Sequence, residues 1–229
     1  YGITANYAFN DEKASSVEGY FFAKVDKTNL QTPNNSDSNA DTVLVPGIRA
    51  TSNLLDGLMV SGELAWQFGE AAYQTTGAAP NIERSAMAAQ LITSYMLPFE
   101  KTKKYSPVVT GAYTYLSGDS DPNDPVSNDK SVYRAWDPMY ETQSAGKLYN
   151  ALFNLTNCHI YEVSGQLEVI EDLTAKLTWT GLMLDQKLDN MSSWSILSPN
   201  GGATSKAVNS DKSGLGYEID FDLTYDYTE

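Results

Sequence analysis

The sequence predicts an all-β fold, an antiparallel transmembrane β-barrel with short turns on one side and long loops on the other. Three observations carry this prediction. Segment after segment alternates apolar and polar residues, the mark of a strand with one greasy and one wet face. The connections between those segments alternate in length down the chain. No apolar run approaches the ~20 residues of a membrane helix, a limit that does not touch strands, which are short and only half apolar.

Nine segments show the alternation. In ITANYAF, Ile3, Ala5, Tyr7 and Phe9 oppose Thr4, Asn6 and Ala8. In VEGYFFAKV, Val17, Gly19, Phe21, Ala23 and Val25 oppose Glu18, Tyr20, Phe22 and Lys24. LVPGIRA is less clean, with Leu44, Ile48 and Ala50 against Val45, Gly47 and Arg49. LMVSGELAWQF sets Leu58, Val60, Leu64, Trp66 and Phe68 against Met59, Ser61, Glu63, Ala65 and Gln67. Next, Met87, Ala89, Leu91, Tyr95 and Leu97 oppose Arg84, Ala88, Gln90 and Ser94. Val109, Tyr113 and Tyr115 oppose Ser106, Thr110 and Thr114. Tyr161, Val163, Leu167 and Val169 oppose Glu162, Ser164, Gln166 and Glu168. Leu173, Leu177, Trp179 and Met183 oppose Thr174, Lys176, Thr178 and Thr180. The last segment is the strictest: Tyr217, Ile219, Phe221, Leu223, Tyr225 and Tyr227 against Glu218, Asp220, Asp222, Thr224 and Asp226.

The short connections are 10–15, 53–57, 98–104 and Glu171-Asp172; the long ones are 26–41, 70–83, 118–157 and 187–213. In an antiparallel sheet all four long loops leave from one end, as in outer-membrane barrels with short periplasmic turns and long outer loops. Aromatic residues gather near strand ends, at Trp66 and Phe68, Tyr113 and Tyr115, and Tyr225 and Tyr227, as in the girdles that flank a lipid-facing band. Nine strands is an odd number, the first residue already lies in a strand pattern, and the last strand lacks a terminal aromatic. The expectation is therefore part of a longer barrel, or a strand hidden in 141–157 or 188–198.

Charge and composition exclude other classes. A net charge of −14 leaves no basic patch for nucleic acid. One cysteine and one histidine, Cys158 beside His159, permit neither an internal disulfide nor a thiol–imidazole metal cluster, and both read as structural residues at a strand start. No catalytic residue and no cofactor is expected. Asp220 and Asp222 share a face, but further acids continue the row, which suits a pore lining better than a tuned acid–base pair. Asp119, Asp121, Asp124 and Asp129 form a weak calcium candidate, because Pro122 and Pro125 break any regular ligand spacing.

The third long loop holds YLSGDSDPNDPVSNDKSVYRAWDPMYETQ. Gly118, Asp119, Asp121 and Pro122, followed by Trp136, Asp137, Pro138, Met139 and Tyr140, resemble the paired loop motif of the alginate-export family of outer-membrane β-barrels. The resemblance covers about the second half of the chain. It implies a passive porin in the bacterial outer membrane, with lipid and lipopolysaccharide around it, small solutes or oligosaccharides passing through it, and homo-oligomers as one assembly. Polyuronate transport implies a basic lumen, and here the sequence departs. The wet parity carries Lys24, Arg49, Arg84 and Lys176 against Glu18, Glu63, Glu162, Glu168, Glu218, Asp220, Asp222 and Asp226, a balance that favours cations or neutral solutes. The alternatives are a non-conducting structural or adhesive barrel and a soluble carbohydrate-binding β-sandwich. Segment 118–157, with its apolar LYNALF stretch, is expected to fold inward and narrow the lumen.

Overall fold

The computed structural model describes residues 1–26, 40–71, 82–98, 103–120, 132–139, 146–152, 155–187 and 213–227. Among these, ten strands form one sheet. The long strands are β1 (Gly2–Ala8), β2 (Ser16–Asp26), β3 (Asp41–Leu55), β4 (Leu58–Ala71), β5 (Ile82–Met96), β6 (Val108–Leu116), β8 (Cys158–Ile170), β9 (Leu173–Leu184) and β10 (Gly214–Tyr225). Each pairs antiparallel with its predecessor, β8 taking its place beside β6. The nine segments predicted from alternation are these nine strands. Among the described residues no helix is long and apolar enough to cross a membrane, which says nothing about strands.

The tenth strand, β7 (Val132–Tyr133), lies in the third long loop, in neither of the stretches suspected of hiding one. It pairs parallel with β5 through Glu83 and Arg84. Strand β6 ends at Leu116 opposite Ala88, so the first residues of β5 keep an open edge on that side, and β7 fills part of it. Within 141–157 the described residues form a short helix, α1 (Lys147–Leu152), instead of a strand. The stretch 188–198 lies outside the described residues.

Turn chemistry accounts for the tightest connections. Asp56-Gly57 joins β3 to β4 with Gly57 at φ 75°, and Glu171-Asp172 joins β8 to β9 with Asp172 at φ 65°. Both are residue types that tolerate the left-handed region a two-residue hairpin demands. One expectation is corrected: the turn expected at 98–104 is longer, since β5 ends at Met96 and β6 begins only at Val108, with a 3-10 turn at Lys103–Tyr105 between them.

The two faces of the sheet have opposite fates. The apolar parity is uncovered on every long strand: Ile3, Phe21, Ile48, Leu64, Met87, Val109, Val163, Leu177 and Ile219 are all exposed. On β10, Ile219, Phe221 and Leu223 are 63, 64 and 60% accessible. The polar parity is where residues are buried, among them Gln67, Arg84, Ser164, Thr178, Thr180 and Glu218. Segments of the β6–β8 loop lie against this polar face and supply its small apolar clusters. Val43, Val45 and Ala65 receive Trp136 and Met139. Leu116, Cys158, Ile160 and Leu182 receive Tyr149, Leu155 and Trp136.

Candidate functional site: the loop-covered polar face

Strand register sorts the predicted lining residues into rows. Glu18 stands opposite Arg49, Arg49 opposite Glu63, Glu63 opposite Gln90, and Gln90 opposite Thr114, so one row crosses β2 to β6. Glu162 faces Thr180, which faces Glu218; Lys176 faces Asp222; Asp220 faces Thr178; Glu168 faces Thr174. All eleven predicted lining residues share the polar parity. They do not form one continuous acidic column, because Arg49, Lys176 and the threonines stand between the acids in their rows.

The first row is internally bonded. Arg49 Nη2 donates to both Glu18 oxygens at 3.2 and 3.3 Å. Tyr20 donates its hydroxyl to Glu63 Oε1 at 2.5 Å. Gln90 Nε2 donates to Thr114 at 2.9 Å. Above the row a cavity of about 500 Å³ is roofed by Trp136, Asp137, Pro138 and Met139 and walled by Tyr20, Phe22 and Val45.

That roof is pinned by a residue that in sequence is one more polar position of an alternating strand. The fully buried Gln67 donates Nε2–H to the Asp137 carbonyl at 2.6 Å and accepts the Asp137 N–H at 2.8 Å. The backbone of the motif is thereby held as one more strand would hold it, by both its donor and its acceptor. The Asp137 carboxylate takes Lys24 Nζ at 3.4 Å and lies 3.8 Å from Arg84 Nη2. It also accepts the Met139 N–H at 2.7 Å, which closes the turn and holds Met139 at φ 57°. Arg84 bonds Asp41 at 2.8 Å and lies over the Tyr133 ring at 5.2 Å. Its Nε and Nη1 have no partner among the described residues. Lys24 and Arg84 are therefore occupied with loop and strand carboxylates.

A second anchor sits on β10. Glu218 accepts the N–H groups of Leu148 and Tyr149 at 2.6 and 3.0 Å, satisfying donors that the first turn of α1 would otherwise leave unpaired. Lys147 donates to Asp222, a hydrogen bond that raises the Lys147 ammonium above its ordinary pKa. Of the predicted lining acids, Glu218 thus docks the loop, and Asp222 adds an exposed ion pair to it. Glu162, Glu168, Lys176 and Asp220 lie outside both anchors; among the described residues Glu168 receives a long contact from Ser106 at 3.4 Å.

The loop stems are tied together as well. A Cβ at Gly118 would run into the Asn157 amide, so the close approach requires glycine. Asn157, buried and at φ 52°, bonds the Gln186 backbone at 2.7 and 3.0 Å, while Asp185 accepts the Gly118 N–H at 2.9 Å. His159 Nδ1 is 2.8 Å from the Tyr113 hydroxyl and its Nε2 is 3.4 Å from Asp185. Of the calcium candidates, Asp119 accepts the Arg134 N–H at 3.0 Å. Asp121, Asp124 and Asp129 lie outside the described residues, as do Pro122 and Tyr140 of the loop motif. Among the described residues no group of three or more His, Cys, Asp or Glu side chains is arranged to hold a metal.

No protein-family model matches this chain, and no curated protein matches it.

Proposed function

We propose that the chain forms a porin-like β-barrel channel of the alginate-export type in the bacterial outer membrane, passing small solutes by diffusion. The observation that supports this reading best is the inverted distribution of polarity. A water-soluble sheet covers its apolar face and wets its polar one. Here the apolar face of every long strand is bare, while the polar face carries the charges and a folded loop. Contiguous apolar surface on that scale marks contact with lipid or with another protein. The longer strands, β3 at 15 residues and β4 at 14, exceed the common globular length and suit a tilted span. A soluble sandwich would divide its strands between two packed sheets, whereas all ten described strands belong to one.

Diffusion is governed by the polar face and the loop on it. Lys24, Arg84 and Arg49 are each paired with a carboxylate, which leaves Glu63, Glu162, Glu168 and Asp220, against Lys176, to set the sign of the lining. An acidic, confined lining attracts cations and repels anions. The second reading, a filled structural barrel, draws on the burial of Gln67, Tyr149 and Leu155 beneath or within the loop.

The deciding experiment is the reversal potential of the protein in a planar bilayer under a KCl gradient. A potassium-selective potential is expected. An anion-selective potential would mean that Arg49, Arg84 and Lys176 govern the narrowest point, and it would restore polyuronates as solutes. Absence of conductance from correctly inserted protein would transfer the case to the filled barrel.

A further inference from the structure

We infer that the cavity between the Glu18–Arg49–Glu63 row and the Trp136–Met139 roof binds small organic cations, an ammonium group on a compact apolar body. The inference names a ligand class for the polar face described above and rests on the channel reading only for the route by which solute arrives. Three features select the class. First, the row holds two carboxylates and one guanidinium, and Arg49 is already committed to Glu18, so Glu63 supplies the unbalanced negative charge. The roof adds none, because Lys24 and Arg84 flank the Asp137 carboxylate. Second, Tyr20, Phe22 and Trp136 offer aromatic surface around that charge, with the Tyr20 and Phe22 rings 5.2 Å apart. Aromatic faces beside a carboxylate favour a weakly hydrated organic cation. A bare metal ion needs several oxygen ligands instead, and no such group occurs among the described residues. Third, Tyr20 spends its hydroxyl on Glu63 Oε1, which orients both side chains before any ligand arrives and leaves Oε2 as acceptor.

The test titrates the whole chain in detergent micelles with choline chloride, at ionic strength balanced with NaCl, following tryptophan fluorescence. Trp136 lines the cavity, whereas Trp66 and Trp179 lie on the bare apolar face and Trp194 lies outside the described residues. A saturable change is expected with choline and abolished in Trp136→Phe. Glu63→Gln, which keeps an acceptor for Tyr20, should weaken binding about tenfold. Arg49→Gln should tighten it. Equal binding of 3,3-dimethylbutanol, the uncharged isostere, would overturn the inference, as would an unchanged Glu63→Gln affinity or saturation by glucose in place of choline. Block of the potassium current by choline provides a second readout. If the protein does not conduct, the fluorescence titration still reports on the cavity, so failure of the channel and failure of the site are separable.

Discussion

At the scale of single residues, the side chain with most influence on the polar face is Gln67. It is fully buried and spends both ends of its amide on one backbone unit of the loop. Gln67→Leu fits the space but strands the Asp137 N–H and carbonyl, at about 1–3 kcal/mol for each buried orphan. The variant should melt earlier in detergent and be cut within 120–147 by a protease that spares the parent. Glu218 and Lys147 make a contrasting pair. Glu218 is buried and accepts two backbone N–H groups, so Glu218→Ala should release α1 and expose 141–157 to cleavage. Lys147 is exposed, and an exposed ion pair holds little by itself. Its pKa is raised in the folded chain by the hydrogen bond to Asp222. The contribution is therefore full below the ordinary lysine value of 10.5 and fades only as pH rises through the elevated folded value. Lys147→Ala should leave the protease pattern unchanged at pH 7, and a pattern matching that of Glu218→Ala would assign the docking to the wrong contact.

At the scale of elements, the bare face of β9 and β10 carries the decisive prediction. Leu177 and Phe221 are cross-strand partners on that face, both exposed. If the face meets hydrocarbon, Leu177→Arg costs about 2–4 kcal/mol when the protein refolds into lipid vesicles. If it meets water, an exposed position of this kind tolerates the change within about 0.5 kcal/mol. Equilibrium unfolding from vesicles separates the two values cleanly. β7 makes a different point about elements. Two residues of a loop become a strand because β6 stops at Leu116 and leaves β5 with open hydrogen-bonding groups. Nothing in Val132–Tyr133 marks it as a strand beforehand.

At the scale of the whole molecule, the β6–β8 loop joins opposite parts of the sheet. Its Asp137 holds Lys24 of β2, Gln67 of β4 and Arg84 of β5, and its helix α1 holds Glu218 of β10. In a conducting barrel such a loop narrows the lumen. Deleting 120–147 should therefore raise single-channel conductance, and an unchanged value would place the narrowest point elsewhere.

The nine long strands, their two faces, the tight turn at Glu171-Asp172 and a short connection within 53–57 were legible in the sequence, although 53–55 belong to β3 and only Asp56-Gly57 form the turn. Alternation with period two and turn preferences are local properties, written within a few residues of where they act. The extent of the β5–β6 turn was not legible, because strand ends depend on pairing partners. Nor was the building of the polar face. Gln67 and Asp137 lie 70 positions apart, as do Leu148 and Glu218, and in sequence Gln67 is one more polar residue in an alternating strand. One signal was present: Val43, Val45, Leu116, Ile160 and Leu182 are apolar on the wet parity, and those interruptions mark where the loop docks. Periodicity thus determined which way each side chain points. Only the tertiary structure decided which acids dock the loop and which stay clear of it, because that depends on which distant groups desolvate and bond them.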